Sequence, residues 1–314
     1  MSCLLLGGDS EIASATFAYM QRHGFPAVPT TRRAERLGDG RIFLDLAPPL
    51  AAWQPPAKTR AACILAAVGH LIDCQRDPVG SALINVTRTV ELVERLVARD
   101  IYVLFLSTNQ VFDGSRPQVP AATPLGPVSE YGRQKARTEN RLQSMMAAGA
   151  PVGILRLAKI VAPGMALLRQ WQGALAAGQP VYAFRDMVMA PTPIGVAAAA
   201  ITALLAERCS GIWQLTGPRD ISYAEIAAHI ARRLVADRSL VRPVAAASAG
   251  MPEGSTPRHT TLDSSAIRSR FGIAAPAPWP TIEGVLPLSE TMSSGSDQAA
   301  GPVPQPGQPA DPML

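Results

Sequence analysis

Short apolar runs alternate with longer amphipathic segments through the first 160 residues, and this alternation constrains the fold more than any other feature of the chain. Candidate strands cover residues 2–6, 27–31, 42–46, 62–67, 101–107 and 152–157. Residues 10–23, 78–99 and 129–148 have helical spacing between them, with Ser10, Asp77 and Ser129 available as N-caps. Runs of Ile, Val and Leu without polar alternation suit strands buried on both faces. Strand–helix repeats of this kind wind into a parallel sheet. The pattern predicts an α/β fold, a Rossmann-type doubly wound parallel sheet.

The regularity ends near residue 160. A helix over 166–177, a Gly-Gln-Pro break and the Met- and Pro-bearing stretch 186–193 read as a ligand-facing lobe. A helix over 194–207 and a strand over 211–215 return to the sheet, and helices over 223–235 and 264–271 follow. The expected division is therefore a nucleotide-binding domain over 1–160, completed by about 194–216. A smaller, discontinuous substrate-binding lobe takes 161–193 and 217–288. Residues 289–314 are Ser, Gly, Gln and Pro with almost no large apolar side chains, which cannot offset ordering entropy, and are expected to form a disordered tail.

The chain carries 29 basic and 24 acidic residues, a net charge of +5, with arginines dispersed in ones and twos. Without a basic run or interleaved aromatics, this favours small anionic ligands over nucleic acid. The longest apolar stretch, 196–206, falls well short of the roughly 20 residues that span a bilayer. The N-terminus lacks a signal-peptide pattern, and Cys3, Cys63, Cys74 and Cys209 form neither a disulfide framework nor a C-x-x-C motif. A cytoplasmic protein without membrane contact is expected. His23, His70, His229 and His259 show no metal-ligand spacing, and no G-x-S-x-G elbow is present, so metal catalysis and hydrolysis are not expected. His70, on a loop beyond the fourth strand, reads as a solvated loop histidine.

Gly7 closes the first strand and Gly8-Asp9-Ser10-Glu11-Ile12-Ala13 opens the first helix, where free backbone N–H groups favour a pyrophosphate. Against a G-x-x-G-x-x-G turn, Ser10 stands in the close-approach position and Ala13 in the third. Ser10 is placed to cap the helix and hydrogen-bond a phosphate, and Gly7, Glu11 and Ile12 complete the candidate turn. After the second strand comes Thr30-Thr31-Arg32-Arg33, where an acid would select NAD. Arg32 and Arg33 instead suit the 2′-phosphate of NADPH. Asp45, followed by Leu46 at the end of the third strand, is placed to contact the adenine or to cap the next turn.

The chain has three lysines, Lys58, Lys135 and Lys159. Lys135 follows Tyr131 by four residues on a predicted helix, which puts phenol and ammonium on one face. The strand Leu104-Phe105-Leu106-Ser107-Thr108 ends in two hydroxyls shortly before Tyr131, at the strand end where an open parallel sheet binds ligands. Nucleotide and chemistry can share one cleft.

These residues resemble the extended short-chain dehydrogenases/reductases, and within them the dTDP-4-dehydrorhamnose reductase group. Ser107-Thr108-Asn109-Gln110-Val111-Phe112-Asp113-Gly114 is similar to the family's S-T-D-Y-V-F-D-G. Pro124-Leu125, Tyr131-Gly132-Arg133-Gln134-Lys135 with Glu139, Asp77-Pro78, Asn85, Leu155-Arg156, Ala190-Pro191-Thr192 and Leu262-Asp263 extend the match over about 2–286. The resemblance implies that Tyr131 protonates a substrate carbonyl, and that Lys135 lowers the phenol pKa and holds the nicotinamide ribose. It further implies that Thr108, rather than Ser107, orients the ketone and that Ala66 and Ala67 line NADPH. Ser107, Asn109, Gln110, Val111, Met187 and Thr192 would line the sugar pocket, although a Met so placed also fills core gaps. The implied activity is NADPH-dependent reduction of a 4-keto nucleotide sugar for polysaccharide assembly, with a homodimer as the expected oligomer.

Two departures stand out. Asn109-Gln110 replaces an acid and an aromatic hydroxyl, and Ser10 replaces a glycine, so a regulatory subunit with little turnover is the alternative from another class. A nucleotide-sugar epimerase retaining NAD is a third reading, disfavoured by Arg32-Arg33.

Overall fold

Six strands enter one sheet in the first half of the chain: β1 (Ser2–Leu6), β2 (Ala27–Thr31), β3 (Ile42–Phe43), β4 (Thr59–Ile64), β5 (Tyr102–Thr108) and β6 (Val152–Leu157). An excursion then carries β7 (Ile160–Val161), β8 (Val181–Phe184), β9 (Val188–Met189) and β10 (Thr192–Pro193) before the seventh sheet strand, β11 (Gly211–Leu215). The strand order is β11-β6-β5-β4-β1-β2-β3, every pair parallel. The order reverses between β1 and β4, which opens a crevice beyond the carboxyl ends of the strands. This computed structural model describes residues 2–286 apart from Asp39, Pro252, Glu253 and Ser255. The tail expected over 289–314 lies outside the described residues.

Helices cover both faces of the sheet because alternate strand residues are apolar on both. Cys3, Leu5, Cys63, Leu104 and Leu155 pack with Met20 of α1 (Glu11–Arg22) and with Ile201, Leu204 and Leu205 of the helix Ile194–Ala206. Leu4, Leu6, Ile64, Val103 and Phe105 pack on the opposite face with Leu92, Val93, Leu96 and Leu142. Each such side chain taken out of water contributes about 1.5–3 kcal/mol.

The expected helix over 78–99 arrives in pieces. Behind α2 (Leu71–Arg76) come α3 (Pro78–Ala82), a π-helical turn (Leu83–Arg88) and α4 (Thr89–Val97). Buried Asn85 sits in that widened turn. The third strand is shorter than expected, since beyond Phe43 the chain dives inward to bury Leu44, Leu46 and Leu50. The catalytic candidates lie on α5 (Glu130–Ala147), whose N-cap Ser129 accepts from Gly132 N–H.

Beyond β6 a separate apolar cluster gathers Leu168, Trp171 and Leu175 of α6 (Ala166–Ala176) with Met187, Met189, Tyr223 and Ile226. The helix α7 (Ile194–Ala206) leads back to β11; then β12 (Ile221–Ser222), α8 (Tyr223–Arg233), β13 (Val241–Val244), α9 (Ser265–Phe271) and α10 (Pro278–Val285) follow. Three two-stranded pairings brace this region: β7 with β10, β8 with β13 and β9 with β12. Ile267 and Phe271 of α9 join the sheet cluster, so part of 217–288 packs on the sheet. Among the described residues no helix is long and apolar enough to cross a membrane, and all four cysteines are free and buried.

Candidate functional site

The nucleotide end is built from backbone. Gly7 has φ +94°, and a Cβ there would lie 2.5 Å from the Ala66 nitrogen, so the turn after β1 closes directly onto the chain leaving β4. Ala66 N–H in turn donates to Leu6 O at 2.9 Å. Ser10 caps α1: its Oγ accepts from Ala13 N–H at 3.2 Å and donates to Gly7 O at 3.1 Å. Glu11 and Ile12 occupy the first two helical positions, where an α-helix leaves N–H groups without intrahelical partners. These two groups and the helix dipole suit a phosphate.

Asp9 organises the rim of this turn. It accepts from Thr31 Oγ1 at 2.7 Å and from Arg36 at 3.0 Å, with Arg41 at 3.6 Å. Burial works to raise its pKa, but the Thr31 hydroxyl and the Arg36 guanidinium outweigh it, and the carboxyl titrates below the usual range. Lys159, just beyond β6, is half-buried; burial lowers its ammonium to about 8, against the opposing pull of Glu11.

The chemical end is built from buried side chains. Lys135 Nζ donates to Leu106 O at 2.8 Å and lies 4.3 Å from the Phe105 ring centroid and 5.9 Å from that of Tyr131. Burial lowers this ammonium to about 8, opposed by Glu139 and Cys74. Tyr131 sits on the first turn of α5, and burial, with Cys74 nearby, raises its phenol above the ordinary 10. In this structure burial, and not the Lys135 ammonium, sets the direction of that shift. Thr108 Oγ1 accepts from Gln110 N–H at 3.2 Å and reaches Asn109 Oδ1 at 3.4 Å. Ser107 Oγ is buried with no described partner.

Two buried networks hold this corner. Asn85 accepts from Val68 N–H at 2.8 Å, donates to Val68 O at 3.0 Å and donates to Gln134 Oε1 at 2.8 Å. Thr138 Oγ1 donates to Asn85 O at 2.8 Å, so the π-turn ties the loop after β4 to α5. Arg156 makes three hydrogen bonds to Glu139, at 3.0, 3.1 and 2.6 Å, and donates further to Ala121 O and Gln214 Oε1. Gln214 donates onward to Val119 O and Asp263 O.

Residues 1–286 match the family described as RmlD substrate binding domain. The chain belongs to that family, a branch of the extended short-chain dehydrogenases/reductases. A Haloferax volcanii protein named "Probable low-salt glycan biosynthesis reductase Agl14" is 25% identical over 228 residues, 70% of this chain and 73% of that protein. A dTDP-4-dehydrorhamnose reductase structure from Clostridium acetobutylicum superposes with TM-score 0.76 at 18% identity, covering 91% of this chain and 98% of that one. A dTDP-4-dehydrorhamnose reductase from Bacillus anthracis, in complex with NADP, gives TM-score 0.74 at 14% identity over 90% and 96% of the two chains. Membership of the family makes this chain an oxidoreductase of the short-chain dehydrogenase/reductase type.

Within this RmlD-family frame the sequence-derived residues separate into two groups. Tyr131, Lys135, Ser107 and Thr108 meet where α5 crosses the end of β5, and Gly7, Ser10, Glu11, Ile12 and Ala66 meet at the first turn. Ala67 is exposed on the loop that follows. Arg32 and Arg33 are exposed beyond β2, while the arginines that reach the turn are Arg36 and Arg41. Sequence reasoning missed both; the signal was Asp9, an acid in a phosphate turn that needs a cation beside it. Three assignments change. Val111 is fully buried with Phe112, Val119 and Leu262, Met187 is core in the second cluster, and Leu46 is core under the sheet, so all three pack rather than line a ligand. Asp45 Oδ1 accepts from Ala47 N–H at 3.0 Å, the turn-capping alternative. Thr192 is fully buried, its N–H donating to Lys159 O at 2.9 Å.

Proposed function

We propose that the protein is an NADPH-dependent reductase of a 4-keto nucleotide sugar. The observation that carries this reading is Lys135 Nζ, 5.9 Å from the Tyr131 ring and bonded to Leu106 O on β5, two residues before Thr108 at the carboxyl end of that strand. The residues fit a dinucleotide: the N–H groups of Glu11 and Ile12 would hold a phosphate, the exposed Arg32 and Arg33 would offer cations for a 2′-phosphate, and Lys135 would hold the nicotinamide ribose. NADPH, when bound, supplies the hydride. Tyr131 would hold the proton that the substrate carbonyl oxygen takes up. Thr108 can turn its hydroxyl proton from Asn109, a long 3.4 Å contact, to the same oxygen.

Tyr131→Phe tests the assignment. Turnover should fall by about 100-fold or more, the scale of a lost general acid, with NADPH affinity nearly unchanged. Dihydronicotinamide fluorescence measures both, using a panel of 4-keto nucleotide sugars. Normal turnover in the variant would overturn the role of Tyr131. NADPH binding without oxidation for any sugar in the panel would replace this reading with the regulatory one.

A cytoplasmic homodimer belongs to the same proposal. The reduced, buried cysteines support the compartment. The apolar side chains of Val79 and Leu83, 81% and 37% exposed, offer a surface for a second copy. Light scattering of the purified chain checks the oligomer.

A further inference from the structure

Lys159 is half-buried and has no part in the proposed chemistry, yet its neighbours place it in the crevice. It stands two residues beyond Leu157 of β6, the register partner of Thr108 at the carboxyl end of β5. Its backbone is pinned: Lys159 O accepts from Thr192 N–H at 2.9 Å, and Ile160 and Val161 of β7 pair with Thr192 and Pro193 of β10. Ile160, the next residue, packs on the same apolar cluster as Ile12 of α1, together with Leu106 and Leu157. The first turn of α1 and the start of β7 therefore share one face of the sheet. The charge that reaches the Lys159 ammonium is that of Glu11, the first residue of α1.

Charges at this turn are unevenly matched. Asp9 is held by Thr31, Arg36 and Arg41. Glu11 is exposed and forms no ion pair among the described residues, and Lys159 Nζ forms neither a hydrogen bond nor an ion pair among them. A phosphate docked on the Glu11 and Ile12 N–H groups would thus meet a carboxylate carried by one of its own donors, a like-charge conflict. An ammonium on the other side of that phosphate resolves it. The lysine gains the counter-charge that its burial lacks, and the phosphate gains a charge-assisted donor. The direction of approach follows from the strand order β11-β6-β5-β4-β1-β2-β3. Arg32 and Arg33 follow β2 on the adenosine side of the turn, whereas Lys159 follows β6, beside the strand that carries Thr108.

We infer that Lys159 is a binding residue for the dinucleotide, its ammonium holding the phosphate next to the nicotinamide ribose against the charge of Glu11. The inference rests on the proposed reductase reading and adds a cation to its cofactor site.

Titration of the full chain with NADPH, followed by dihydronicotinamide fluorescence, and calorimetric titration with 2′,5′-ADP test it. The second ligand keeps the 2′-phosphate and the adenosine-side phosphate and lacks the other one. Lys159→Met and Lys159→Gln should each weaken NADPH roughly tenfold while changing 2′,5′-ADP affinity by less than about twofold, the mark of one lost charge-assisted contact. Lys159→Arg should restore most of the loss. Glu11→Gln should tighten NADPH binding, and the Lys159→Met loss should persist in that background. Unchanged NADPH affinity in both neutral variants, or equal losses for the two ligands, would overturn the assignment. A loss that vanishes with Glu11→Gln would overturn it too, making Lys159 a partner of Glu11 alone. So would a loss confined to nucleotide sugars titrated in parallel, which would move the ammonium to the substrate's diphosphate. Failure of the wild type to bind NADPH would overturn the reductase reading itself, and this inference with it.

Discussion

The two ends of the crevice are held in different ways. At the first turn, shape comes from glycine backbone, one capping serine and ion pairs such as Arg36–Asp9, whose side chains are 43% and 20% exposed. At the β5–α5 corner, shape comes from side chains sealed away from water: Arg156 and Glu139 are 1% and 0% exposed. Half-exposed ion pairs of the first kind contribute about 0–1 kcal/mol, whereas a broken pair of the second kind leaves an uncompensated buried charge. A nucleotide phosphate needs only backbone N–H groups and a cation, which many sequences can supply. A proton donor must be placed to within a fraction of an ångström, and that requires a locked surround.

The contrast is breakable. Glu139→Ala should cost about 3–5 kcal/mol, because it strands the Arg156 guanidinium; urea unfolding of the variant against wild type measures it. Gly7→Ala should cost about 1–3 kcal/mol through the positive φ and the clash with Ala66, and should weaken NADPH binding in the same titration. If this second loss matched or exceeded the first, the corner would not be the more tightly held region.

Acidity sharpens the comparison further. Burial lowers Lys135 to about 8 in the folded chain against an ordinary 10.5, so it is half charged near pH 8, mostly charged below and mostly neutral above. A contact with the nicotinamide ribose that uses the charged form should therefore weaken above pH 8, by up to about tenfold per pH unit. The sign for stability is the reverse: the folded state binds fewer protons between pH 8 and 10.5, so the burial penalty of this lysine eases across that window. NADPH titrations from pH 6 to 10, with Lys135→Met as the control lacking this limb, measure the effect. The smallest change is expected at Ser10→Gly, where the cap is lost for only a few tenths of a kcal/mol. A large loss there, by thermal unfolding, would show that the turn depends on its side chain after all.

The sheet was legible in the sequence because strands buried on both faces leave continuous Val, Ile and Leu runs, and the Y-x-x-x-K spacing survives translation onto a helix unchanged. The π-turn was not, because it accompanies bonds that buried Asn85 makes to Val68, Gln134 and Thr138, partners too far along the chain for a local pattern to show. Nor was the end of β3, an edge strand with one hydrogen-bonded neighbour, where the burial of Leu44 and Leu46 decides against continuing the ladder. Val111 and Met187 were misassigned for one reason: an apolar side chain beside a polar motif looks the same in a sequence whether it faces a ligand or the core. Arg36 and Arg41 reach Asp9 from 27 and 32 positions away, a distance no local pattern encodes.

Gly132, the residue after Tyr131, lies directly beneath the carbonyl of Gln110, and a side chain there would overlap it. The loop that carries Gln110 and the helix that carries Tyr131 are thereby geared together, like two wheels on one short shaft. A poorly seated substrate would tilt the phenol along with the loop, so discrimination among sugars should register in kcat at least as strongly as in KM.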